Sequence, residues 1–196
     1  MQLLHATDYP ATPWKNGGGI TRQVLIAPTG ATLDNFDYRI SIASVASDGP
    51  FSHFAGIDRQ LLLLEGAGLL LQRQDGSCSR LECDSAALAF AGEENISSQL
   101  LDGPVTDFNV MTRRGRYLQQ VENLMVDGSL TLKSDDEILL VLLASGEALD
   151  IQRADGRSCR LAPQDALLQQ LAVGLTLHSS TPARVIVVRL NRHQAA

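Results

Sequence analysis

The sequence is poor in the residues from which metal centres are built. It holds three cysteines and four histidines among 196 residues, and the patterns C-x-x-C, H-x-H and H-E-x-x-H do not occur. A metal centre in a β-barrel needs two or three histidines and a carboxylate that converge from adjacent strands. Because the histidines are scattered from His5 to His193, we expect no metal ion and no other cofactor.

The cysteines are also too few and too irregular for a disulfide framework. Cys78 and Cys83 lie five residues apart, and Cys159 is distant from both. We interpret all three as thiols in a reducing compartment. The opening MQLLHATDYP lacks the basic and then apolar segments of a secretory leader, so we expect a cytoplasmic protein.

Long hydrophobic runs and concentrated positive charge are absent as well. The longest apolar runs, LLLL at 61–64 and ILLVLLA at 138–144, are far shorter than the roughly 20 residues that cross a bilayer. The formal net charge is −6, which argues against nucleic acid as a generic partner because phosphate binding needs concentrated Lys and Arg. We therefore expect neither a membrane nor a nucleic acid as partner. A local basic pocket for a small anion stays open.

Common nucleotide-binding and hydrolase signatures are missing. GGGITR at 17–22 is not a P-loop, and GAGLLL at 66–71 lacks the third glycine of the dinucleotide fingerprint. No G-x-S-x-G elbow occurs. These glycines are therefore interpreted as turn residues.

What the sequence does contain is a regular succession of short β-type segments. TRQVLIA at 21–27, DYRISIAS at 37–44 and PARVIVVRL at 182–190 are examples, and turn signals such as Asp75-Gly76 and Asp155-Gly156 punctuate the chain. This rhythm is typical of an all-β sandwich or barrel.

An internal repeat of about 80 residues refines that prediction. Shifted by 80 positions, LLLEGAGLLLQRQDGSCSRLECDSAAL falls on LLASGEALDIQRADGRSCRLAPQDALL, with the glycines and the Asp-Gly turn in register. A repeat of this length indicates two copies of one β unit. We expect an N-terminal barrel over residues 1–115 and a degenerate C-terminal barrel over residues 116–196, packed as one unit.

The two copies differ just before the repeat. DGPFSHFAGIDRQ at 48–60 has no counterpart in GSLTLKSDDEIL at 128–139. The N-terminal barrel is therefore expected to carry the ligand site, and the C-terminal one is expected to serve mainly as scaffold.

Polar residues alternate with apolar ones in two predicted strands. In 37–44 the period of two places Arg39 and Ser41 on one face, and in 106–114 it places Asn109 and Arg113 on one face together with Asp107. The opposite faces are largely apolar. Such strands fit a barrel wall with one polar pocket, although a polar face that simply meets solvent fits them too.

The stretch PWKNGGGITR at 13–22 adds a second cluster of donors. Asn16 and the first glycine can form a tight turn, and the next two glycines let backbone amides approach a ligand closely. Lys15 and Arg22 could donate to an anion, and Trp14 offers an apolar wall. The alternative is a glycine-rich loop in which Trp14 plugs the mouth of the barrel.

Several ordered motifs resemble the HutD/Ves family. They are P-W-K-N-G-G-G-x-T-R at 13–22, Y-R-I-S-I-A at 38–43, D-G-P-F-S-x-F-x-G-x-D-R at 48–59, L-L-E-G at 63–66, F-A-G-E at 90–93 and D-F-N-V-M-T-R at 107–113. The resemblance covers nearly the whole chain and implies a bicupin, two cupin-like barrels in one chain. It also implies a non-enzymatic binder of an intermediate of histidine degradation, urocanate or N-formylglutamate, that modulates histidine utilisation.

The expected ligand contacts combine cations, amides, hydroxyls and apolar walls. They are Trp14, Lys15, Asn16, Arg39, Ser41, Phe51, His53, Arg59, Phe108, Asn109 and Arg113. The alternative hypothesis is a metal-free cupin isomerase or hydrolase in which His53 is the general base, with Asp58 or Asp107 nearby. A two-fold homodimer is compatible with an exposed barrel face.

Overall fold

The computed structural model describes residues 1–170 and 173–193 and consists of β-strands with a 3₁₀ turn at Ala6–Asp8. The strands are β1 (Gln2–Leu4), β2 (Ala11–Pro13), β3 (Gly19–Ala27), β4 (Tyr38–Val45), β5 (Gly49–Pro50), β6 (Ile57–Glu65), β7 (Leu69–Arg73), β8 (Cys78–Leu81), β9 (Leu88–Ala91), β10 (Ile96–Leu100), β11 (Val105–Arg113), β12 (Tyr117–Ser134), β13 (Ile138–Ser145), β14 (Leu149–Arg153), β15 (Ser158–Leu161), β16 (Ala166–Gln170) and β17 (Val173–Arg192). The all-β prediction is confirmed. The described residues form no helix that is long and apolar enough to span a membrane.

The chain divides into two compact units. One comprises residues 9–117, and the other comprises residues 1–8 together with residues 118–196. The sequence predicted a division at 115/116, and it did not predict that the first residues join the second unit. They do so because β1 pairs antiparallel with β16, with Leu3 opposite Leu167. Residues 171–172 and 194–196 of the predicted second domain lie outside the described residues.

The 9–117 unit contains two sheets that share an apolar cluster. A six-stranded sheet has the order β2-β3-β4-β11-β6-β9, and a four-stranded sheet has the order β5-β10-β7-β8. Leu61 and Leu63 of the first sheet pack in the same apolar cluster as Leu69, Leu71 and Ile96 of the second. Because alternate residues of a strand share a face, this cluster identifies the inward face of each strand.

The second unit is built on a single sheet. Its strands follow the order β1-β16-β13-β17-β14-β15, and β12 pairs with β17. Its core contains Val141, Leu143, Leu149, Leu177 and Val187. These residues come from β13, β14 and β17, so the middle of the sheet supplies much of the apolar surface that stabilises this unit.

The two units share one local pattern at a spacing of 80 residues. Leu69 lies opposite Leu81 in the β7–β8 hairpin, and Leu149 lies opposite Leu161 in the β14–β15 hairpin. The turns match as well, because the Asp75 and Asp155 carboxylates each accept a backbone N–H from two residues further on, at 2.9 and 3.2 Å. The β7–β8 and β14–β15 hairpins thus have the same register.

Candidate functional site

Strands β4 and β11 place a row of polar side chains on the inward face of the 9–117 unit. Ala43 on β4 and Val105 on β11 belong to the core cluster, so the residues two or four positions away on each strand face the same way. Ser41 lies opposite Asn109, and Arg39 lies opposite Met111. The alternation in the sequence therefore predicted this face correctly.

Arg59 joins this row from the neighbouring strand β6. It lies opposite Met111 on one side and Phe90 on the other, and only 4% of it is exposed. Its guanidinium carbon is 4.8 Å from the ring centre of Phe90, 5.2 Å from that of Phe51 and 5.7 Å from that of Phe54. The faces of aromatic rings attract cations, so these rings compensate part of the hydration that burial removes.

The hydrogen bonding of Arg59 is incomplete. Its Nη1 donates to the backbone carbonyl of Ser52 at 3.3 Å, while its Nε has no partner among the described residues. The pKa of Arg59 is lowered to about 10, chiefly because the side chain is buried; the charge of Asp107 opposes this lowering, and the charge of Arg39 contributes to it. Arg59 is therefore a desolvated cation with a free donor, and a negatively charged partner would stabilise it.

Asp107 is the acidic member of the same face. It lies opposite Ala43 and Leu63 and is 3% exposed. Burial raises the pKa of Asp107 to about 7, and the charge of Arg59 moderates this rise. Its Oδ1 has no hydrogen-bond partner within the described part of the chain, and the same holds for Oδ1 of Asn109.

We call Arg39, Ser41, Arg59, Asp107 and Asn109 the arginine cluster. Two cations and at most one anion share it, so its net charge is positive even when Asp107 is ionised. Buried polar atoms in proteins nearly always have partners, and unpartnered ones call for an explanation. The chemistry of this donor set, two guanidinium groups with an amide and a hydroxyl, suits a small carboxylate.

Sequence reasoning left Gln23 and Asp107 off the list of expected ligand contacts. Gln23 lies opposite Ser41, and its Oε1 accepts a hydrogen bond of 3.3 Å from Nε of Arg39. Burial lowers the pKa of Arg39. The period of two had already placed Asp107 on the same face as Asn109, and this was sufficient reason to include Asp107 among the expected ligand contacts. Gln23 was harder to find because β3 shifts register immediately after it.

The structure does not bring Lys15 and Asn16 to the arginine cluster. Both are exposed, and the Asn16 side chain accepts the backbone N–H of Gly18 at 3.1 Å. Gly17 adopts a positive φ of 73°, which a turn residue without Cβ accommodates readily. Asn16 is thus used by its own turn.

Trp14 explains the remaining glycine of this stretch. The Trp14 ring packs against the core cluster, and its Nε1 donates to Oγ1 of Thr21 at 2.8 Å. A Cβ at Gly19 would lie 2.5 Å from the backbone oxygen of Ser44 and 3.0 Å from the Trp14 ring. The glycine-rich stretch is therefore explained by turn formation and close packing.

His53 and Asp58, the residues of the enzyme alternative, are not joined to each other. His53 is exposed. Asp58 accepts a hydrogen bond of 2.8 Å from Nε of Arg114, and Nη1 of the same arginine donates to Glu93 at 2.6 Å. This contact with Arg114 lowers the pKa of Glu93 to about 2. Asp58 is therefore part of a surface ion-pair group.

Phe51 lies beside Arg59, whereas Phe108 and Arg113 lie away from the arginine cluster. Phe108 lies opposite Ile42 and Leu62, on the face of β11 that is turned away from Asn109.

Arg113 stabilises a loop. Its Nε donates to the backbone oxygen of Phe36 at 2.9 Å and its Nη2 to that of Asp34 at 3.2 Å. Its guanidinium carbon also lies 5.8 Å from the ring centre of Phe36. Arg113 thus connects the end of β11 to residues 34–36.

Within the described residues, no group of three or more His, Cys, Asp and Glu side chains is arranged to hold a metal ion. The HutD family model matches residues 6–187. The chain belongs to the HutD family. The membership that the sequence motifs indicated is confirmed.

Three relatives of this HutD-family chain come from species of Pseudomonas. The chain is 38% identical to an uncharacterised 21.2 kDa protein in the hutC 3′ region of Pseudomonas putida, over 85% of each chain. A conserved protein of unknown function from Pseudomonas aeruginosa PAO1 superposes with a TM-score of 0.90 at 33% identity, covering 97% of this chain and 98% of the other. HutD from Pseudomonas fluorescens SBW25 superposes with a TM-score of 0.82 at 27% identity, covering 98% and 99%.

The fold itself is more widespread than the family. A cupin 2 conserved barrel domain protein from Leptotrichia buccalis superposes with a TM-score of 0.58 at 10% identity, covering 96% of this chain and all of the other. At this identity the likeness concerns the fold alone. The HutD-family chain therefore has a cupin-like β fold, and its family is associated with histidine utilisation.

Proposed function

We propose that this protein binds a small carboxylate of histidine degradation, urocanate or N-formylglutamate, at the arginine cluster, and thereby modulates histidine utilisation. The single observation that carries the proposal is Arg59, a buried cation whose Nε has no partner among the described residues. The family association with histidine utilisation supports the choice of ligands.

The cluster offers complementary contacts for such a ligand. Arg59 and Arg39 supply N–H donors for a carboxylate, and Ser41 and Asn109 supply a hydroxyl and an amide on the same face. Phe51 supplies an apolar surface beside Arg59. Losing one desolvated Arg–carboxylate contact reduces binding by about 2–4 kcal/mol, which corresponds to roughly a 30-fold to 1000-fold loss of affinity.

Calorimetric titration tests the proposal. Urocanate, N-formylglutamate, histidine and glutamate are titrated into the wild-type protein and into Arg59→Met, which keeps much of the apolar volume and removes the charge. Arg80→Met is the matched control, because Arg80 is an exposed arginine of the same unit that bonds to Glu82. We expect the Arg59 variant to lose at least 30-fold in affinity and the control to bind like the wild type. The proposal would be overturned if none of the four compounds binds the wild-type protein, or if Arg59→Met binds with the same affinity as the wild type.

The proposal also includes the fold, the cellular location and the assembly of the protein. The chain is a bicupin that acts without a metal ion in the cytoplasm, with its ligand site in the 9–117 unit and with a two-fold homodimer as its assembly. Sedimentation of the purified protein at several concentrations measures the assembly directly, and a monomer throughout would remove the dimer from this proposal.

A metal-free enzyme is the second candidate, and Asp107 is the observation that favours it. A buried carboxyl with a pKa of about 7 is suited to proton transfer at neutral pH. This hypothesis moves the acid–base role from His53 to Asp107. Turnover of urocanate or N-formylglutamate by purified protein, lost in Asp107→Asn and retained in His53→Ala, would favour the enzyme over the binder.

A further inference from the structure

The arginine cluster contains a hydrogen-bond acceptor as well as donors. Oδ1 of Asp107 is buried and has no partner among the described residues. Its cross-strand neighbours, Ala43 and Leu63, have no donor in their side chains. Arg59 influences Asp107 through its charge, and no hydrogen bond between the two side chains is present in the described structure.

Charge also restricts what can bind there. Arg39 and Arg59 carry two positive charges, and an ionised Asp107 cancels one of them. One ligand carboxylate bound at the arginines cancels the other, so that the cluster becomes neutral; the second carboxylate of N-formylglutamate would then have to lie outside the cluster. However, a carboxylate alone leaves Oδ1 of Asp107 unpaired and adds a like charge near it.

An N–H group on the ligand removes both difficulties, since it satisfies the acceptor and places a partial positive charge beside Asp107. We infer that the site selects a carboxylate that also carries an N–H donor, with Arg59 binding the carboxylate and Asp107 accepting the N–H. This inference rests on the proposed function. A buried site built for a hydrogen bond discriminates strongly against analogues that lack the group, because its own polar atom is then left unpaired.

Two ligand pairs that differ in the N–H test the inference. Urocanate is compared with 3-(oxazol-4-yl)acrylate, which keeps the carboxylate, the planar chain and the second ring nitrogen but replaces the ring N–H by an ether oxygen. N-formylglutamate is compared with 2-formyloxyglutarate, in which an ester oxygen replaces the N–H. For whichever pair binds, we expect the wild type to prefer the N–H compound at least tenfold in dissociation constant.

Two substitutions of Asp107 assign that preference to the side chain. Asp107→Ala should reduce the ratio of the two dissociation constants to within about twofold of one. Asp107→Asn nearly preserves the shape of the side chain and keeps an acceptor oxygen in nearly the same place. It should therefore retain a preference for the N–H compound of at least threefold. Circular dichroism of each variant establishes that it is folded before titration.

The possible results separate the inference from the function it rests on. Equal wild-type affinities within a pair, or a preference that persists in Asp107→Ala, overturn the inference while the anion site stands. If no compound binds the wild type, or if Arg59→Met binds as the wild type does, the proposed function fails and the inference fails with it. If Asp107→Ala does not fold, the ratios of dissociation constants in the wild type and in Asp107→Asn decide the inference. A wild-type preference below tenfold, or a preference below threefold in Asp107→Asn, overturns it.

Discussion

Arg59 and Phe90 lie directly opposite each other on the antiparallel strands β6 and β9, and the guanidinium carbon is 4.8 Å from the centre of the ring. Phe51 and Phe54 approach the same guanidinium from the preceding loop. This arrangement holds a charge in the interior with one hydrogen bond to the described part of the chain, from Nη1 of Arg59 to the Ser52 carbonyl. Such a cation is positioned for a partner, and its burial carries a desolvation penalty for the unliganded fold.

The first prediction concerns this penalty. Arg59→Met removes a buried charge and fills the space with an apolar chain, so we expect the free energy of unfolding to stay equal or to rise by about 1–2 kcal/mol. Urea unfolding at pH 6 measures it. A loss of more than about 2 kcal/mol would mean that Arg59 stabilises the fold. The combination of retained stability and lost ligand affinity is what distinguishes a binding residue from a structural one.

The second prediction concerns Asp107 and pH. Burial raises the pKa of Asp107 from an ordinary value of 3.8 to about 7, so between these two values the folded state keeps a proton that the unfolded chain has lost. The contribution of Asp107 to the free energy of unfolding of the wild type therefore falls as the pH rises from about 4 to 7. Asp107→Asn lacks this dependence, and its stability relative to wild type should increase by about 3 kcal/mol between pH 5 and pH 8.

Urea unfolding of both proteins at pH 5, 6, 7 and 8 checks the Asp107 prediction. A difference between wild type and Asp107→Asn that is constant over this range would show that the carboxyl titrates in the folded state as it does in the unfolded chain.

The third prediction concerns the glycine-rich stretch. Gly19→Ala forces a Cβ to within 2.5 Å of the Ser44 carbonyl oxygen and against the Trp14 ring, so we expect a loss of about 2–3 kcal/mol. Gly49→Ala is the control, because no atom lies within 4 Å of the Cβ it would add. Thermal unfolding with tryptophan fluorescence follows both stability and the surroundings of Trp14. Equal melting temperatures for the two variants would contradict the packing explanation.

The fourth prediction separates two roles of Arg113. Because Arg113 donates to the carbonyls of Phe36 and Asp34, we expect Arg113→Ala to destabilise the protein by about 2 kcal/mol. Arg116→Ala removes only an exposed ion pair with Asp37 and should change stability by less than about 1 kcal/mol. We expect both variants to keep the ligand affinity of the wild type. A selective loss of affinity in Arg113→Ala would instead support the ligand contact that the sequence predicted.

The alternation of polar and apolar residues along strands was the main basis for predicting the site from the sequence. It placed Arg39, Ser41 and Asn109 on one face, and the structure puts them on the inward face. The same rule places Phe108 on the other face, so its selection as a wall followed the motif rather than the geometry.

Local hydrogen bonding explains where the sequence prediction of the site differed. Lys15 and Asn16 were expected to bind an anion, yet Asn16 is occupied by its own turn and Lys15 is exposed. A sequence shows that a side chain can donate or accept, but it does not show which neighbour is already within reach. Gln23 illustrates a second limit, since the register shift after it changes which face the later residues of β3 occupy.

The pairing of β1 with β16 has a consequence for how the protein is made. Gln2–Leu4 are synthesised about 160 residues before their partner strand Ala166–Gln170. The 9–117 unit can fold before that partner strand exists, whereas β1 of the other unit can pair only after β16 has been synthesised. A gene fragment that starts at residue 118 would lack this strand, and the uncovered edge of β16 would favour aggregation.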